Sequence, residues 1–211
     1  MDQPERMRHY ATPEGAVAYE RKFRGSLLRR IGHRREAALL NRMLTRFDRI
    51  ARLLDCPCGA GRMLPTVEHH ARRVVGADLW PTMLQEARGG GGRAHLLLAA
   101  DVHRLPFRDE RFDVAVCHRL MHHIVEPAER IEILTEFARV TSRGVVLSFW
   151  DAGTRRGRRI RSSRRIAIPA EQLAGEAAAA GLHLEPPLLH VGPLFSAQAI
   201  ACLKPCDDRG I

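Results

Sequence analysis

From residue 51 onward, short apolar runs alternate with longer mixed segments. The runs fall at about 51–56, 73–78, 94–100, 112–118 and 144–150, each of strand length. Segments at about 61–71, 80–88 and 127–141 separate them and carry helical spacing. Strands alternating with helices predict a parallel sheet covered on both faces. Gly89 to Gly92 form a connection before the third strand. The last third reads differently. A helix is expected at about 169–181, ended by Gly181 as its cap. Two apolar runs follow, at about 182–191 and 195–203, parted by Gly192-Pro193, which predicts an antiparallel pair at the sheet edge.

The first fifty residues read as two helices. Thr12-Pro13-Glu14 is a helix start, with Thr12 as N-cap, Pro13 at the first position and Glu14 favouring the dipole. That helix would cover about 13–24. Ser26 can cap a second, over about 27–48, with Leu39, Leu40, Met43, Leu44 and Phe47 as its apolar face. Arg35, Arg42, Arg46 and Arg49 lie on another face and read as its wet side.

Composition narrows the class. The 211 residues suffice for one domain with a full core, and 45% of them are hydrophobic. No run reaches the ~18 consecutive apolar residues of a membrane span. The opening Met1-Asp2-Gln3-Pro4-Glu5-Arg6 is polar and lacks a signal-peptide core. A soluble cytoplasmic protein is the expectation. The 5 cysteines are odd in number, and Cys56, Cys117 and Cys202 lie in or beside expected strands, so no disulfide framework is expected. Cys56-Pro57-Cys58 is too tight for zinc or thioredoxin spacing, and no metal is expected. The formal net charge is +10, nearly all of the excess from arginine. Such charge attracts phosphates, nucleic acid or anionic lipid. It equally follows from an arginine- and alanine-rich composition, and alone it names no substrate. Residues 155–165 are dominated by arginine and read as an exposed loop.

The chemistry starts at Leu53-Leu54-Asp55-Cys56-Pro57-Cys58-Gly59-Ala60-Gly61-Arg62, an apolar strand entering a glycine turn. Such a turn lets the backbone approach a small polar ligand at the carboxyl edge of a parallel sheet. The second strand, Val74-Val75-Gly76-Ala77-Asp78, ends in an acid. A carboxylate there suits the vicinal diol of a ribose, without choosing the cofactor. The third strand ends Ala99-Ala100-Asp101-Val102, followed by Leu105-Pro106-Phe107. The fourth is Phe112-Asp113-Val114-Ala115-Val116-Cys117-His118-Arg119-Leu120-Met121-His122-His123.

In order and spacing, these four segments resemble the class I S-adenosylmethionine-dependent methyltransferases. Within that class they resemble the small-molecule group of ubiquinone/menaquinone-biosynthesis (type 11) enzymes. The resemblance is strong over about 50–150 and looser outside. It implies a Rossmann-like, doubly wound α/β fold: a mostly parallel seven-stranded sheet with an antiparallel C-terminal strand and N-terminal capping helices. It divides the chain into a cap (1–50), a cofactor-binding domain (51–204) and a tail (205–211). It implies S-adenosyl-L-methionine as cofactor and S-adenosyl-L-homocysteine as product. The residues it assigns to the cofactor are Tyr19, Asp55, Pro57, Cys58, Gly59, Gly61, Asp78, Leu79, Asp101, Val102, Cys117 and His118. Within that set, Asp101 would accept from the adenine amino group and Val102 pack on the ring. The chain departs from the family at Pro57, which stands where the first glycine is usual. Proline lacks an N–H, so backbone donation at this turn falls to its neighbours, and Gly59 and Gly61 are expected to keep the close approach.

The implied reaction is an in-line displacement at the activated methyl, in which positioning does most of the work. A base is needed only if the acceptor must lose a proton, and His118, His122 and His123 are the nearest candidates. Arg155, Arg156 and Arg158 are candidate substrate contacts for an anionic or lipid-linked acceptor, or for an anionic membrane face. The expected enzyme methylates a small molecule, with oxygen as the favoured acceptor atom. The alternatives are an RNA methyltransferase and a catalytically inactive methyltransferase-like binding protein. A nicotinamide oxidoreductase ranks last, because Asp101 has no counterpart there. A monomer or a homodimer through the edge strand pair fits the pattern.

Overall fold

The computed structural model describes residues 11–12, 14–18, 27–90, 92, 94–160, 162, 165–192 and 196–206. Seven strands form one sheet: β1 (Ile50–Asp55), β2 (Ala71–Asp78), β3 (Leu96–Ala99), β4 (Phe112–Cys117), β5 (Thr141–Trp150), β6 (Leu182–His190) and β7 (Gln198–Pro205). Their order is β3-β2-β1-β4-β5-β7-β6. The first five pair in parallel, and β7 lies antiparallel between β5 and β6. The fold is thus the mostly parallel, seven-stranded α/β sheet that the sequence pattern and the resemblance imply.

Side-chain alternation builds two cores from one sheet. Leu54, Ala115, Leu147 and Ala201 face one side, against α4 (Pro127–Val140) and α5 (Ala170–Ala179). Leu53, Val114, Val146 and Ile200 face the other, with Leu40, Met43 and Leu44 of α1 (Leu27–Leu44) and Leu64 of α2 (Leu64–Val67). A third helix on that side, α3 (Pro81–Gly89), adds Ala87. The outer strand β6 contains Pro186 and Pro187, which have no N–H to donate. Only an edge strand tolerates that pair, and the β6–β7 register shifts across it.

Some boundaries differ from expectation. The helix expected at 61–71 is only the single turn α2. Gly61 holds φ +76, outside the right-handed helix, and the Pro65 ring would clash with the carbonyl of residue 61. Helix α1 stops at Leu44 instead of 48, because the chain turns through Arg49 at φ 47 into β1. Residues 14–18 are helical, and the Thr12 hydroxyl caps them by accepting from Gly15 N at 3.1 Å. The rest of that first helix, with Tyr19, and the cap expected at Ser26 lie outside the described residues. At the far end, Gly181 takes φ +75 just past α5, as a helix stop requires.

One buried ion pair sets α4 against α5. Arg130 is fully buried. Its Nε donates to Glu176 Oε2 at 2.8 Å, and Nη2 donates to Glu176 Oε1. Nη1 donates to the carbonyls of Ile124 and Val125, both at 2.8 Å. Replacing one partner strands the other charge in the core. We expect Arg130→Met to cost about 3–5 kcal/mol in urea unfolding, and the double variant with Glu176→Met to recover most of it.

Candidate functional site

Strand order reverses between β1 and β4, because β2 and β3 continue to one side and β4 starts the other. That switch point opens a crevice at the strands' carboxyl ends, where open α/β sheets bind ligands. Asp55 ends β1, Asp78 ends β2, and Asp101 follows β3 by two residues. The three acids therefore line one rim of the crevice.

The turn after β1 is held by its neighbours. Cys56 N donates to Val116 O at 2.9 Å, and Cys58 N donates to Ala77 O at 2.8 Å. The backbone thus threads between β4 and β2, with Pro57 between the two anchors. Gly59 takes φ +55, and its N donates to Asp78 Oδ2 at 2.8 Å. Asp78 Oδ1 accepts from Trp80 N at 3.0 Å. The carboxylate expected to read a ribose also fixes the turn above it. The two glycines have different tasks. A methyl at Gly61 would lie 3.1 Å from the Ala87 methyl, so Gly61 lets α3 pack. A methyl at Gly59 would meet only Met83, at 3.5 Å, so that position answers to backbone conformation. Ala16, from the N-terminal helical turn, packs on Ala60 and Met83 and covers the turn.

Asp55 is buried, and neither carboxyl oxygen has a hydrogen-bond partner. Burial, and then the neighbouring Asp78 charge, push its carboxyl up to about 8, against the pull of Arg62. Burial likewise raises the thiols of Cys56, Cys58 and Cys117, so all three stay protonated.

Asp101 sits on the loop between β3 and β4. Its Oδ1 accepts from His103 N at 3.0 Å and faces His103 Nδ1 at 2.8 Å. Burial works to raise this carboxyl, but the His103 contacts outweigh it and lower it, so Asp101 is ionised.

At the end of β4 the structure adds a residue that the sequence reading passed over. Glu36 projects from α1, one and two turns before Leu40 and Met43 on the same buried face. It accepts from Arg62 Nη1 at 3.0 Å, His118 Nε2 at 3.3 Å and Arg119 Nε at 3.3 Å, with a further bond from Arg119 Nη2. Burial would raise this carboxyl, yet the His118 bond and the charges of Arg119, His118 and Arg62 hold it well below the carboxylate range. A signal was present. Glu36 is the sole acid in an arginine-rich helix, and it falls at apolar spacing.

The three candidate histidines meet different fates. Burial pushes His118 down to about 4, Arg62 and Arg119 contribute, and Glu36 opposes. It is neutral at pH 7 and a poor proton acceptor. His122 is buried, held well below its usual value first by burial and then by His123 and Arg119. Its ring stacks on Trp150, centroids 4.3 Å apart and planes 11° apart. His123 sits 4.3 Å from His122, ring to ring. The helical spacing that could have paired His118 with His122 is absent: the short 3-10 turn covers only Met121–His123. No group of metal-ligating side chains occurs among the described residues.

The first part of the arginine loop, residues 154–159, is built on fixed turns. Thr154 Oγ1 donates to Asp151 O at 2.8 Å and accepts from Gly157 N at 2.9 Å, shaping the 3-10 turn Gly157–Arg159. Asp151 Oδ2 faces His190 Nε2 at 2.7 Å. Arg155, Arg156 and Arg158 project outward and are exposed, while the Arg165 guanidinium lies 5.7 Å from the Trp150 ring centre.

Two measurements test this electrostatic layout. An acid whose folded value lies above its unfolded one keeps its proton only in the folded state. Asp55 therefore contributes a fall in stability of at most about 1.4 kcal/mol per pH unit as pH rises from about 4 toward 8, while His118 and His122, neutral when folded, contribute a rise up to about 6.5. Asp55→Asn should remove the falling contribution, so the variant's stability relative to the wild type should increase with pH in thermal melts. Glu36→Gln removes the negative charge shared by Arg62, His118 and Arg119, and should lower unfolding free energy by about 3 kcal/mol.

Comparison with known proteins agrees with the geometry. A methyltransferase-domain profile matches residues 54–149, the span from β1 to β5. A protein of Encephalitozoon cuniculi, named as a methyltransferase candidate, is 30% identical over 131 residues, 60% of this chain and 58% of its own length. A human protein named as a candidate tRNA methyltransferase is 33% identical over 88 residues, 42% of this chain and 18% of its own. The chain thus spans little more than half of one curated relative and a fifth of the other. Magnesium protoporphyrin IX methyltransferase of Synechocystis, solved with S-adenosylmethionine bound, superposes with a TM-score of 0.70 at 16% identity, covering 95% of each chain. Over residues 54–149, from β1 to β5, the chain thus matches the type 11 methyltransferase domain, and it shares its fold with a neighbour solved with S-adenosylmethionine bound.

Proposed function

We propose that this chain is an S-adenosylmethionine-dependent methyltransferase that methylates a small molecule, at oxygen. The observation that carries the reading is the rim itself. Three acids stand at the ends of β1, β2 and β3, beside a glycine turn at the switch point. These residues fit the cofactor. Asp55 is a buried carboxyl without a partner, and a cationic ligand beside it would offset the burial that keeps it protonated. Asp78 suits the ribose hydroxyls and Asp101 the adenine amino group. Cys58, Gly59 and Gly61 supply the close backbone, with Leu79 and Val102 flanking. Tyr19 belongs to the same proposal from the N-terminal segment.

The bound cofactor supplies an activated methyl group; the chain supplies position and dryness. Ala16 covers the turn, and Glu36 fixes Arg62, His118 and Arg119 beside it. With the cofactor in place, the crevice would hold an acceptor oxygen in line with that methyl group, and the electron pair of the broken carbon–sulfur bond would stay on sulfur. The acceptor's proton must leave. Burial makes the His118 and His122 imidazoles weak proton acceptors, so His123 is the remaining candidate of the three. The exposed Arg155, Arg156 and Arg158 suit an anionic acceptor.

A second reading is RNA methylation. It is favoured by the net charge of +10 and by the human relative's name. The small number of aromatics weighs against it, since single-stranded RNA is read largely by stacking.

Calorimetry with S-adenosylhomocysteine tests the core of the proposal. Saturable one-to-one binding is expected, weakened at least about tenfold by Asp101→Ala. Absence of binding would sink it. Methyl transfer to bulk tRNA, with affinity that falls steeply in salt, would shift the substrate to RNA.

A further inference from the structure

The loop from Asp101 to Phe107 has almost no regular structure, yet it is pinned to α4 at every turn. Glu136 Oε1 accepts from Leu105 N at 2.6 Å. Arg139 donates to Phe107 O at 2.7 Å and to Leu105 O at 3.1 Å. Nearer the start, Glu129 Oε1 faces His103 Nε2 at 3.2 Å, while His103 Nδ1 faces Asp101 Oδ1 at 2.8 Å. Glu129, Glu136 and Arg139 are seven and three residues apart, so they share one helix face. The imidazole is largely buried between two half-exposed carboxylates. Asp101 is thus a side chain on a loop whose direction is fixed by an imidazole, itself fixed by a helix.

We propose that His103, braced by Glu129, is the positioning residue that aims Asp101 at the nucleobase and makes the site selective for a 6-aminopurine. This deepens the cofactor reading above and rests on it. Both His103 contacts to Asp101, from ring and backbone, fall on Oδ1. Oδ2 is the oxygen that the brace does not use. An ionised carboxylate presented there accepts a hydrogen bond from an exocyclic amino group. It repels the carbonyl that replaces the amino group in hypoxanthine. Selection therefore needs two conditions, that Asp101 is charged and that it cannot swing away, and His103 serves both. A site built around one hydrogen bond discriminates strongly against a ligand that cannot make it.

The test uses the full chain and two ligands, S-adenosylhomocysteine and its deaminated analogue S-inosylhomocysteine, measured by calorimetry. The wild type should prefer the adenosyl ligand by about a hundredfold or more. His103→Ala should weaken the adenosyl ligand about tenfold and leave the inosyl ligand within about threefold, so discrimination shrinks. Glu129→Gln, at a half-exposed position, should give the same pattern to a smaller degree. His103→Asn, whose amide can still donate to Asp101, should restore part of the preference. A purely structural role would weaken both ligands equally, and that result overturns the proposal, as does an unchanged preference in His103→Ala. A wild type that binds neither ligand overturns the cofactor reading itself.

Discussion

One buried carboxylate holds the site together. Glu36 reaches from α1 to Arg62 behind the glycine turn and to His118 and Arg119 at the end of β4. Those are the two edges of the crevice. An ionised carboxylate at this depth is costly unless it is paired and hydrogen-bonded, and this one is both. The N-terminal helix is therefore fastened to the crevice by charge as well as by Leu40, Met43 and Leu44. Glu36 also decides what His118 can do: the contact fixes the ring, and burial beside two arginines keeps it neutral.

Charge around the crevice is distributed unequally. Asp55, Asp78 and Asp101 stand at or just past the ends of β1, β2 and β3, while Arg62 and Arg119 gather around a single acid, Glu36. Burial neutralises Asp55, whereas His103 keeps Asp101 ionised. Two aspartates on one rim thus differ in state because one is desolvated without partners and the other is solvated and held.

Much of this was legible in the sequence. Short continuous apolar runs located the strands, because β1, β4, β5 and β7 are buried on both sides over most of their length. The strand-end acids were legible for the same reason: Asp78 and Asp101 interrupt apolar runs where a sheet edge must be. Helix α2 was overestimated, since the pattern of Met63, Leu64 and Val67 is helical while the geometry of Gly61 and Pro65 is not. Arg46 was placed on a wet face, yet it bonds Pro186 O at 3.0 Å and pairs with Glu185. Glu36 and the His103–Glu129 brace were missed because each joins residues distant in sequence. A charge whose partners come from three elements has no local signature beyond its own oddity. The two glycines of the turn were grouped under one role, and the structure adds at Gly61 a packing constraint from Ala87 of the neighbouring helix.

The outer strand carries a consequence for how copies of the chain could meet. A sheet grows by offering alternate N–H and C=O groups to an incoming strand. Neither Pro186 nor Pro187 has an N–H, and because successive N–H groups point to opposite sides of a strand, one of the two missing donors falls on the rim of β6. A second copy laid along it would find an acceptor without its matching donor, and its ladder would be interrupted in the middle. A homodimer built by extending the sheet at β6 is therefore disfavoured, and this rim acts as a terminus at which strand pairing stops.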